Sequence, residues 1–294
     1  MIDSLRRMLE QILDGRDLSE AQAGELLRAL TSPDVPPPLA GAFLAGLRAK
    51  GVVADEVRGF AQAMRELGRR PDFEAGLPAI DIVGTGGDAS GSLNLSTGAA
   101  LLSAACGLRV VKHGNRSVSS KAGSADVLEA LGLKLPLDET RAGECLAATG
   151  FTFLFAPHYH PAMKSVAPIR QAMGVRTVFN ILGPLSNPAE PEYHVIGAFD
   201  AATAELLIRG QGISGVGGMQ VVAYGQWCRG LNSCLLPFTQ PKIGRRLTGD
   251  DIHLYQSDSC RVECQRSPYP IRLPITRIKL IIPIPVVDHS VWHS

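Results

Sequence analysis

The feature that most constrains the fold is a short apolar segment that runs into a cluster of glycines and then into a helix. Residues 79–83 read AIDIV, which is typical of a buried strand, and residues 84–88 read GTGGD. The alanine- and leucine-rich stretch 96–106 then predicts a helix. Because strand, glycine-rich turn and helix together form the repeating unit of α/β folds, we expect a largely parallel sheet here.

The same alternation continues to about residue 208. Apolar and β-branched segments predict further strands, and periodic segments between them predict helices. The strands are expected at 108–112, 151–155 and 193–197, and the helices at 124–131, 161–173 and 201–208. The sequence therefore predicts an α/β domain over residues 71–209, entered through a linker at 71–80.

Residues 1–70 carry helical patterns only. Leu5, Met8 and Ile12 recur at three- and four-residue spacing, and Ser19 is the expected N-cap of a second helix. The predicted helices cover 2–12, 21–30, 39–49 and 55–67. We expect these residues to form a small helical domain.

After residue 209 the sequence loses this regularity. Four of the six cysteines fall between Cys228 and Cys264, prolines are scattered through 268–285, and no helical pattern is visible in the last 60 residues. We expect residues 210–294 to be a divergent, poorly ordered part of the α/β domain. A shifted reading frame would produce such a tail, and the coding DNA would decide this.

Charge and hydropathy exclude several classes of protein. With 29 basic and 28 acidic residues, no overall field attracts nucleic acid or an acidic membrane. No apolar run reaches the roughly 20 residues that span a bilayer, and the first 15 residues lack the apolar centre of a signal peptide. We expect a cytoplasmic protein without nucleic-acid or membrane partners, and with Cys106 and Cys145 buried as small apolar residues.

The glycine-rich loop at 84–88 is the first candidate binding site. Glycines after a strand let backbone N–H groups approach a phosphate, and the next helix N-terminus favours anions. Asn94, Ser96 and Thr97 add polar side chains where that helix begins. The alternatives are a tight turn without a ligand and simple N-capping by Ser96 or Thr97.

A second loop follows the next strand. It begins with KHGNR at 112–116 and continues with several serines and Lys121. By itself it fits a solvated basic turn. Two such loops at neighbouring strand ends favour a diphosphate site, since a diphosphate needs several N–H and cationic donors and often a hydrated Mg²⁺.

Arg170 and two histidines lie further along the chain. An arginine can hold a carboxylate through two parallel hydrogen bonds, although a structural ion pair is the alternative. His158 and His160 have a spacing that suits a metal, but no third ligand is near in sequence. Packing beside an aromatic substrate, or a structural role, explains the histidines better.

In this order, the motifs resemble the anthranilate phosphoribosyltransferase family. They are DIVGTGGD, NLSTGAA, KHGNRSVSSKAGSADVLEALG and HPAMKSVAPIRQAMGVRTVFNILGPLSNP, and the resemblance covers residues 1 to about 207. Pyrimidine nucleoside phosphorylases share the fold and a similar GTGGD loop and remain the enzyme alternative. The resemblance implies a helical domain on a large α/β domain, a homodimer through the helical part, and transfer of phosphoribose from its 1-diphosphate to anthranilate.

The resemblance also implies roles for individual residues. Anthranilate would contact Gly84, Asn115 and Arg170, and Ser96 would reach one Mg²⁺ ion. The diphosphate substrate would be held by Gly84, Gly87, Asp88, Ser92, Asn94, Ser96, Thr97, Lys112, Ser120 and Ser124. No acid or base is assigned, because an arylamine nitrogen is already nucleophilic.

The chain departs from the family at its metal site. The family has an Asp-Glu pair in a Gly-Leu-Asp-Glu context, where this chain has Asn232 and Ser233 after Gly230 and Leu231. Losing both carboxylates weakens Mg²⁺ binding, and Asp250-Asp251 is a poor substitute. A catalytically impaired or inactive family member is therefore the second functional hypothesis.

Overall fold

The computed structural model describes residues 2–73, 77–86, 93–117 and 122–210, together with the backbone of 218–223. The described helices are α1 (Ile2–Leu13), α2 (Glu20–Leu30), α3 (Pro37–Lys50), α4 (Ala54–Glu66), α5 (Leu95–Ala105), α6 (Ser124–Ala130), α7 (Glu139–Thr149), α8 (Ala156–Tyr159), α9 (Ala167–Met173), α10 (Phe179–Leu182) and α11 (Ala201–Gly210). The strands are β1 (Ile80–Gly84), β2 (Val110–Gly114), β3 (Phe151–Phe155), β4 (Tyr193–Ala198) and β5 (Gly218–Ala223). No described helix is both long and apolar enough to cross a membrane.

The first four helices pack against each other through the apolar positions that the sequence spacing predicted. Leu5, Met8 and Ile12 of α1 are buried. Ser19 caps α2 as expected: its Oγ accepts from the Gln22 N–H at 3.3 Å, and Gln22 Oε1 accepts from the Ser19 N–H at 2.9 Å. This reciprocal capping box satisfies two backbone donors that the helix start leaves unpaired.

A fully buried carboxylate binds the backbone of two loops in this helical region, the one before α2 and the one before α4. Glu56 on α4 accepts from the backbone N–H of Leu18 at 2.9 Å and of Val53 at 3.1 Å. Lys50 Nζ lies 3.1 Å from the same carboxylate and is itself largely buried. Each of these contacts lies among the first 60 residues, away from the sheet.

The five strands form one parallel sheet in the order β3-β2-β1-β4-β5. The mostly parallel α/β fold with an N-terminal helical region is therefore confirmed. Because all strands run the same way, β1, β2, β3 and β4 end at one edge, at Gly84, Gly114, Phe155 and Ala198. The chain moves from β1 towards β3 on one side and then crosses to β4, so the strand order reverses between β1 and β4. Ligands of open α/β sheets bind at such a reversal.

One hydrophobic core joins the helical region to the sheet. Leu44 and Phe60 of α3 and α4 belong to the same buried cluster as Ile196 of β4 and Leu207 of α11. Two arginines add polar links: Arg65 donates to the Leu185 carbonyl at 2.7 Å, and Arg58 donates to the Arg209 carbonyl at 2.7 Å. The helical region therefore packs directly against the turn at Leu185, which precedes β4, and against α11, which follows it.

Some sequence predictions differ from the structure. The single helix expected over 161–173 is a 3₁₀ turn at Pro161–Lys164 followed by α9, because Pro168 has no N–H and the Val166 N–H bonds only three residues back, to Met163. The prediction missed α7 and β5. Cys145 is buried as expected, but Cys106 is exposed at the end of α5.

The close approach of α2 to α4 depends on Gly59. A Cβ added there would lie 2.1 Å from the Glu20 carbonyl oxygen. We expect Gly59→Ala to lower the free energy of unfolding by about 1–3 kcal/mol, because backbone must move to admit a methyl group. Urea unfolding measures this. Gly98→Ala on α5 is the control, since an added Cβ meets nothing within 4 Å; equal losses in both variants would contradict the packing argument.

Candidate functional site

Two glycines face each other where the strand order reverses. Gly84 at the end of β1 pairs with Gly197 of β4, and the Thr85 N–H donates to the Gly197 carbonyl at 2.8 Å. A Cβ added at Gly84 would lie 3.6 Å from the Gly197 carbonyl oxygen, at the start of the glycine-rich loop. Sequence reasoning selected Gly84 and missed Gly197, because only the strand pairing brings the two together. Gly87, Asp88 and Ser92 lie outside the described residues.

Lys112 is the most unusual side chain at this edge, because it is a lysine that is only 1% exposed. Its Nζ donates to the Ile82 carbonyl at 2.5 Å and to Ser96 Oγ at 3.5 Å. Burial lowers the pKa of Lys112 to about 8, although the negative charge of Asp81 partly offsets this effect. Lys112 therefore lies between β1 and the first turn of α5, not in a solvated loop.

A polar network contacts the backbone on either side of this lysine. The fully buried carboxylate of Asp81 accepts from the His113 N–H at 3.3 Å and from Asn187 Nδ2 at 2.9 Å. Asn187 Nδ2 also donates to the Val111 carbonyl at 2.8 Å. Burial raises the pKa of Asp81 to about 6, opposed by Lys112 and by the Asn187 hydrogen bond. Sequence reasoning overlooked Asp81 and Asn187, which are 106 residues apart.

The start of α5 presents its polar side chains without using them as caps. The N-cap position is occupied by Asn94, which makes no side-chain cap bond, and Ser96 and Thr97 lie inside the first turn. The capping alternative for Ser96 and Thr97 is therefore wrong. The Thr97 hydroxyl is buried without a hydrogen-bond partner among the described residues. Asn94 Nδ2 instead donates to the Ala122 carbonyl at 3.3 Å, which joins the two loops.

The second loop is held in shape by carboxylates of α6, the helix that follows it. The Arg116 guanidinium pairs with Glu129 and Asp126, so this cation is committed to a structural contact. Asp126 Oδ2 also accepts from the Gly123 N–H at 2.7 Å. Ser124 Oγ donates to the Asn115 carbonyl at 3.1 Å, which places two of the selected residues side by side. Ser120 lies outside the described residues.

The close fit of this loop explains one of its glycines. A Cβ at Gly114 would lie 2.4 Å from Ser124 Oγ and 2.9 Å from the Phe153 ring. Ser124 opens α6 and the Gly114 position ends β2, so any larger residue would push the loop away from the strand.

Arg170 has the features of an anion-binding residue. Its guanidinium lies over the Phe179 ring, with Cζ 5.2 Å from the ring centroid, and burial lowers its pKa. Among the described residues no carboxylate pairs with it, so the structural ion pair considered for Arg170 is not formed there. No hydrogen bond within the described residues joins Arg170 to Lys112 or Asn115.

Two buried histidines lie beneath the strand ends. The rings of His113 and His160 meet edge to face with centroids 5.0 Å apart, and His113 Nδ1 lies 3.2 Å from the Gly183 carbonyl. Burial lowers the pKa of His113 to about 3 and that of His160 to about 4, so both are neutral at pH 7. His158 lies apart from this pair, 3.6 Å from Glu139.

The described residues do not by themselves suit Mg²⁺. They contain no group of three or more metal-binding side chains, and the Ser96 hydroxyl faces the Lys112 ammonium. Mg²⁺ requires several oxygen ligands, preferably anionic. Asn232, Ser233, Asp250 and Asp251 lie outside the described residues.

Both parts of the chain match one family of known proteins. Residues 6–68 match the helical bundle domain of a glycosyl transferase family, and residues 76–210 match the a/b domain of the same family. The class of protein that this fold and strand-end site define is therefore that of the two-domain glycosyl transferases.

Individual relatives narrow the class. An anthranilate phosphoribosyltransferase from Synechococcus sp. (strain CC9902) is 50% identical over 199 residues, covering 68% of this chain and 56% of the relative. One from Trichodesmium erythraeum is 45% identical over 217 residues, covering 71% and 61%. The solved enzyme from Thermus thermophilus is 47% identical with a TM-score of 0.65, covering 69% and 61%.

A more distant solved relative carries ligands. The Saccharomyces cerevisiae anthranilate phosphoribosyltransferase, solved in complex with PRPP and Mg, is 27% identical with a TM-score of 0.65, covering 71% of this chain and 62% of its own. The chain thus matches from 56% to 62% of the length of these four relatives. By sequence and fold it belongs to the anthranilate phosphoribosyltransferase family.

The buried histidines predict a loss of stability in acid. His194 on β4 is buried as well. Burial depresses the folded-state pKa values of His113, His160 and His194 to about 3, 4 and 4, so below pH 6.5 the unfolded chain binds more protons. Stability is full above pH 6.5 and is lost as the pH falls towards 4. The raised pKa of Asp81 makes this one group increase stability as the pH falls from about 6 to 3.8. The three histidines together have the larger, opposite effect.

We expect the free energy of unfolding to be lower at pH 4.5 than at pH 7, as measured by urea titration. His160→Phe should reduce this pH dependence by about 2 kcal/mol, because it removes one neutral-buried imidazole and keeps a ring of similar size. A variant with an unchanged pH dependence would contradict the assignment of His160 as a buried neutral group.

Proposed function

We propose that this chain transfers the phosphoribosyl group of 5-phosphoribosyl 1-diphosphate to anthranilate, giving N-(5-phosphoribosyl)anthranilate and pyrophosphate, a step of tryptophan biosynthesis. The observation that carries the proposal is the buried Lys112 ammonium beside Ser96, at the strand edge where the glycine-rich loop begins. We further propose a cytoplasmic homodimer that associates through the helical region.

The diphosphate would bind where backbone donors and a cation converge. Gly84 ends β1 where the glycine-rich loop begins, and Asn94, Ser96, Thr97 and Ser124 would supply polar groups to the diphosphate. In the reaction the C1–O bond to pyrophosphate breaks while positive charge grows on the sugar. Pre-positioned donors that neutralise the departing pyrophosphate would lower that barrier. Gly87, Asp88, Ser92 and Ser120 complete the proposed set.

Anthranilate would be held through its carboxylate. Arg170 has no carboxylate partner among the described residues and lies over an aromatic ring, which holds its planar group in one orientation. Gly84 and Asn115 complete the proposed anthranilate contacts. The amine nitrogen then forms the bond to C1 and loses one proton.

Mg²⁺ would be held mainly by the substrate, because a diphosphate supplies oxygen ligands of its own, and Ser96, whose hydroxyl also accepts from Lys112, would add one ligand. The replacement of the family's Asp-Glu pair by Asn232 and Ser233 favours the second candidate function, an inactive relative that still binds the diphosphate.

The first experiment mixes the purified chain with anthranilate, 5-phosphoribosyl 1-diphosphate and Mg²⁺ and follows the loss of anthranilate fluorescence. Loss that requires every component, with formation of phosphoribosylanthranilate, supports the transferase. Binding of the diphosphate without turnover supports the inactive relative. Phosphorolysis of a pyrimidine nucleoside to free base would instead identify a nucleoside phosphorylase.

Among the site residues, replacing Lys112 should reduce turnover most. We expect Lys112→Ala to reduce turnover by about 100-fold or more, because one well-aimed donor is worth about 3 kcal/mol. Lys112→Met keeps the buried volume and should have the same effect with a smaller change in stability. Turnover that survives both substitutions would mean that the diphosphate binds elsewhere.

Replacing Arg170 should weaken the binding of anthranilate and of no other substrate. Arg170→Gln is expected to weaken anthranilate binding about 10-fold or more, with Arg170→Lys in between, because lysine keeps the charge but not the paired donors. Fluorescence titration measures the affinity. Aniline, which lacks the carboxylate, is the control and should bind wild type and variant equally; a similar loss for aniline would refute the carboxylate contact.

A further inference from the structure

We propose that Asp81 and Asn187 are positioning residues that hold the end of β2, and with it Lys112, in the orientation that receives the diphosphate. This inference rests on the proposed function, and it assigns a role in that site to two side chains that do not themselves reach the substrate.

The contacts form a bridge across three segments of the chain. Asp81 on β1 accepts from the His113 N–H of β2, and Asn187, which follows α10, donates both to Asp81 and to the Val111 carbonyl of β2. Asn187 Oδ1 also accepts from the Ala189 N–H at 2.9 Å, which fixes the direction of its amide. Backbone groups on both sides of Lys112 are therefore held by this one pair of side chains.

The charge of Asp81 acts on the same lysine. Lys112 and Asp81 are both removed from water, and the attraction between them favours the protonated lysine against the cost of burial. Lys112 Nζ also donates to the carbonyl of Ile82, the residue next to Asp81. Asp81 thus fixes the position of the β2 backbone next to Lys112 and also contributes a negative electrostatic potential at the Lys112 ammonium.

A purely structural role explains this arrangement less well. Buried charged pairs are weak sources of stability, and well-packed apolar residues often replace them without loss. Here the network lies directly below the strand edge at which the proposed substrate binds. Removing the network should therefore weaken ligand binding as well as lower the stability of the fold.

The test measures the affinity for inorganic pyrophosphate, in the presence of Mg²⁺, by calorimetry on the full chain. Asp81→Asn keeps the shape but removes the charge and places an NH2 group against one of the two donors, and Asn187→Leu removes both donations. We expect each variant to remain folded and to bind pyrophosphate at least 10-fold more weakly, which corresponds to about 1.4 kcal/mol.

Glu56→Gln is the matched control. Glu56 is also a fully buried carboxylate that accepts two backbone N–H groups and faces a lysine, but it lies in the helical region. We expect it to lose stability in urea by an amount similar to Asp81→Asn and to keep pyrophosphate affinity within about twofold, because its change in stability follows the same physics. Equal affinities in Asp81→Asn and wild type would overturn the proposal.

A second readout separates this inference from the proposed function. Hydrogen exchange of the peptide that spans 110–117 should be faster in Asp81→Asn and unchanged in Glu56→Gln, because only the former weakens the acceptor of the His113 N–H. If wild type binds no pyrophosphate, the proposed function fails. Unchanged exchange in Asp81→Asn would then overturn the positioning role independently.

Discussion

The structure of the candidate site depends on a buried cation, Lys112 on β2, and a buried carboxylate, Asp81 on the neighbouring strand β1. Neither group can be buried alone at an acceptable energetic cost, and each is satisfied by contacts to a different segment. Lys112 reaches the β1 backbone and the start of α5, whereas Asp81 reaches β2 and Asn187. The sheet, the start of α5 and the turn after α10 are therefore joined through the contacts of these two side chains.

The helical region contacts the turn that precedes Asn187. Arg65 on α4 donates to the Leu185 carbonyl, and the turn at Gly183–Leu185 supplies the carbonyl that faces His113. Because the two regions also share a hydrophobic core, the turn that carries Asn187 has little freedom to move. The helices thus restrain the turn that precedes Asn187.

Sequence patterns were enough to predict the alternation of strands and helices, because each element has its own periodicity. They were also enough to select Gly84, Lys112 and Ser96, which lie together at one edge of the sheet. Sequence could not show that Lys112 is buried, that Arg116 is paired with Glu129, or that Asp81 meets Asn187. Those facts depend on contacts between distant segments, and local patterns carry no information about them.

The hydrogen bond from Asn94 to the Ala122 carbonyl has a consequence for how the two loops respond to change. It joins the entrance of α5 to the segment just before α6, so neither loop end can shift without disturbing the other. Sites that share a contact are energetically coupled, and the effects of paired substitutions then depart from a simple sum. Because Ala122 takes part through its backbone carbonyl, a substitution of Asn94 removes the link between the two loops, whereas a different side chain at position 122 can leave it in place.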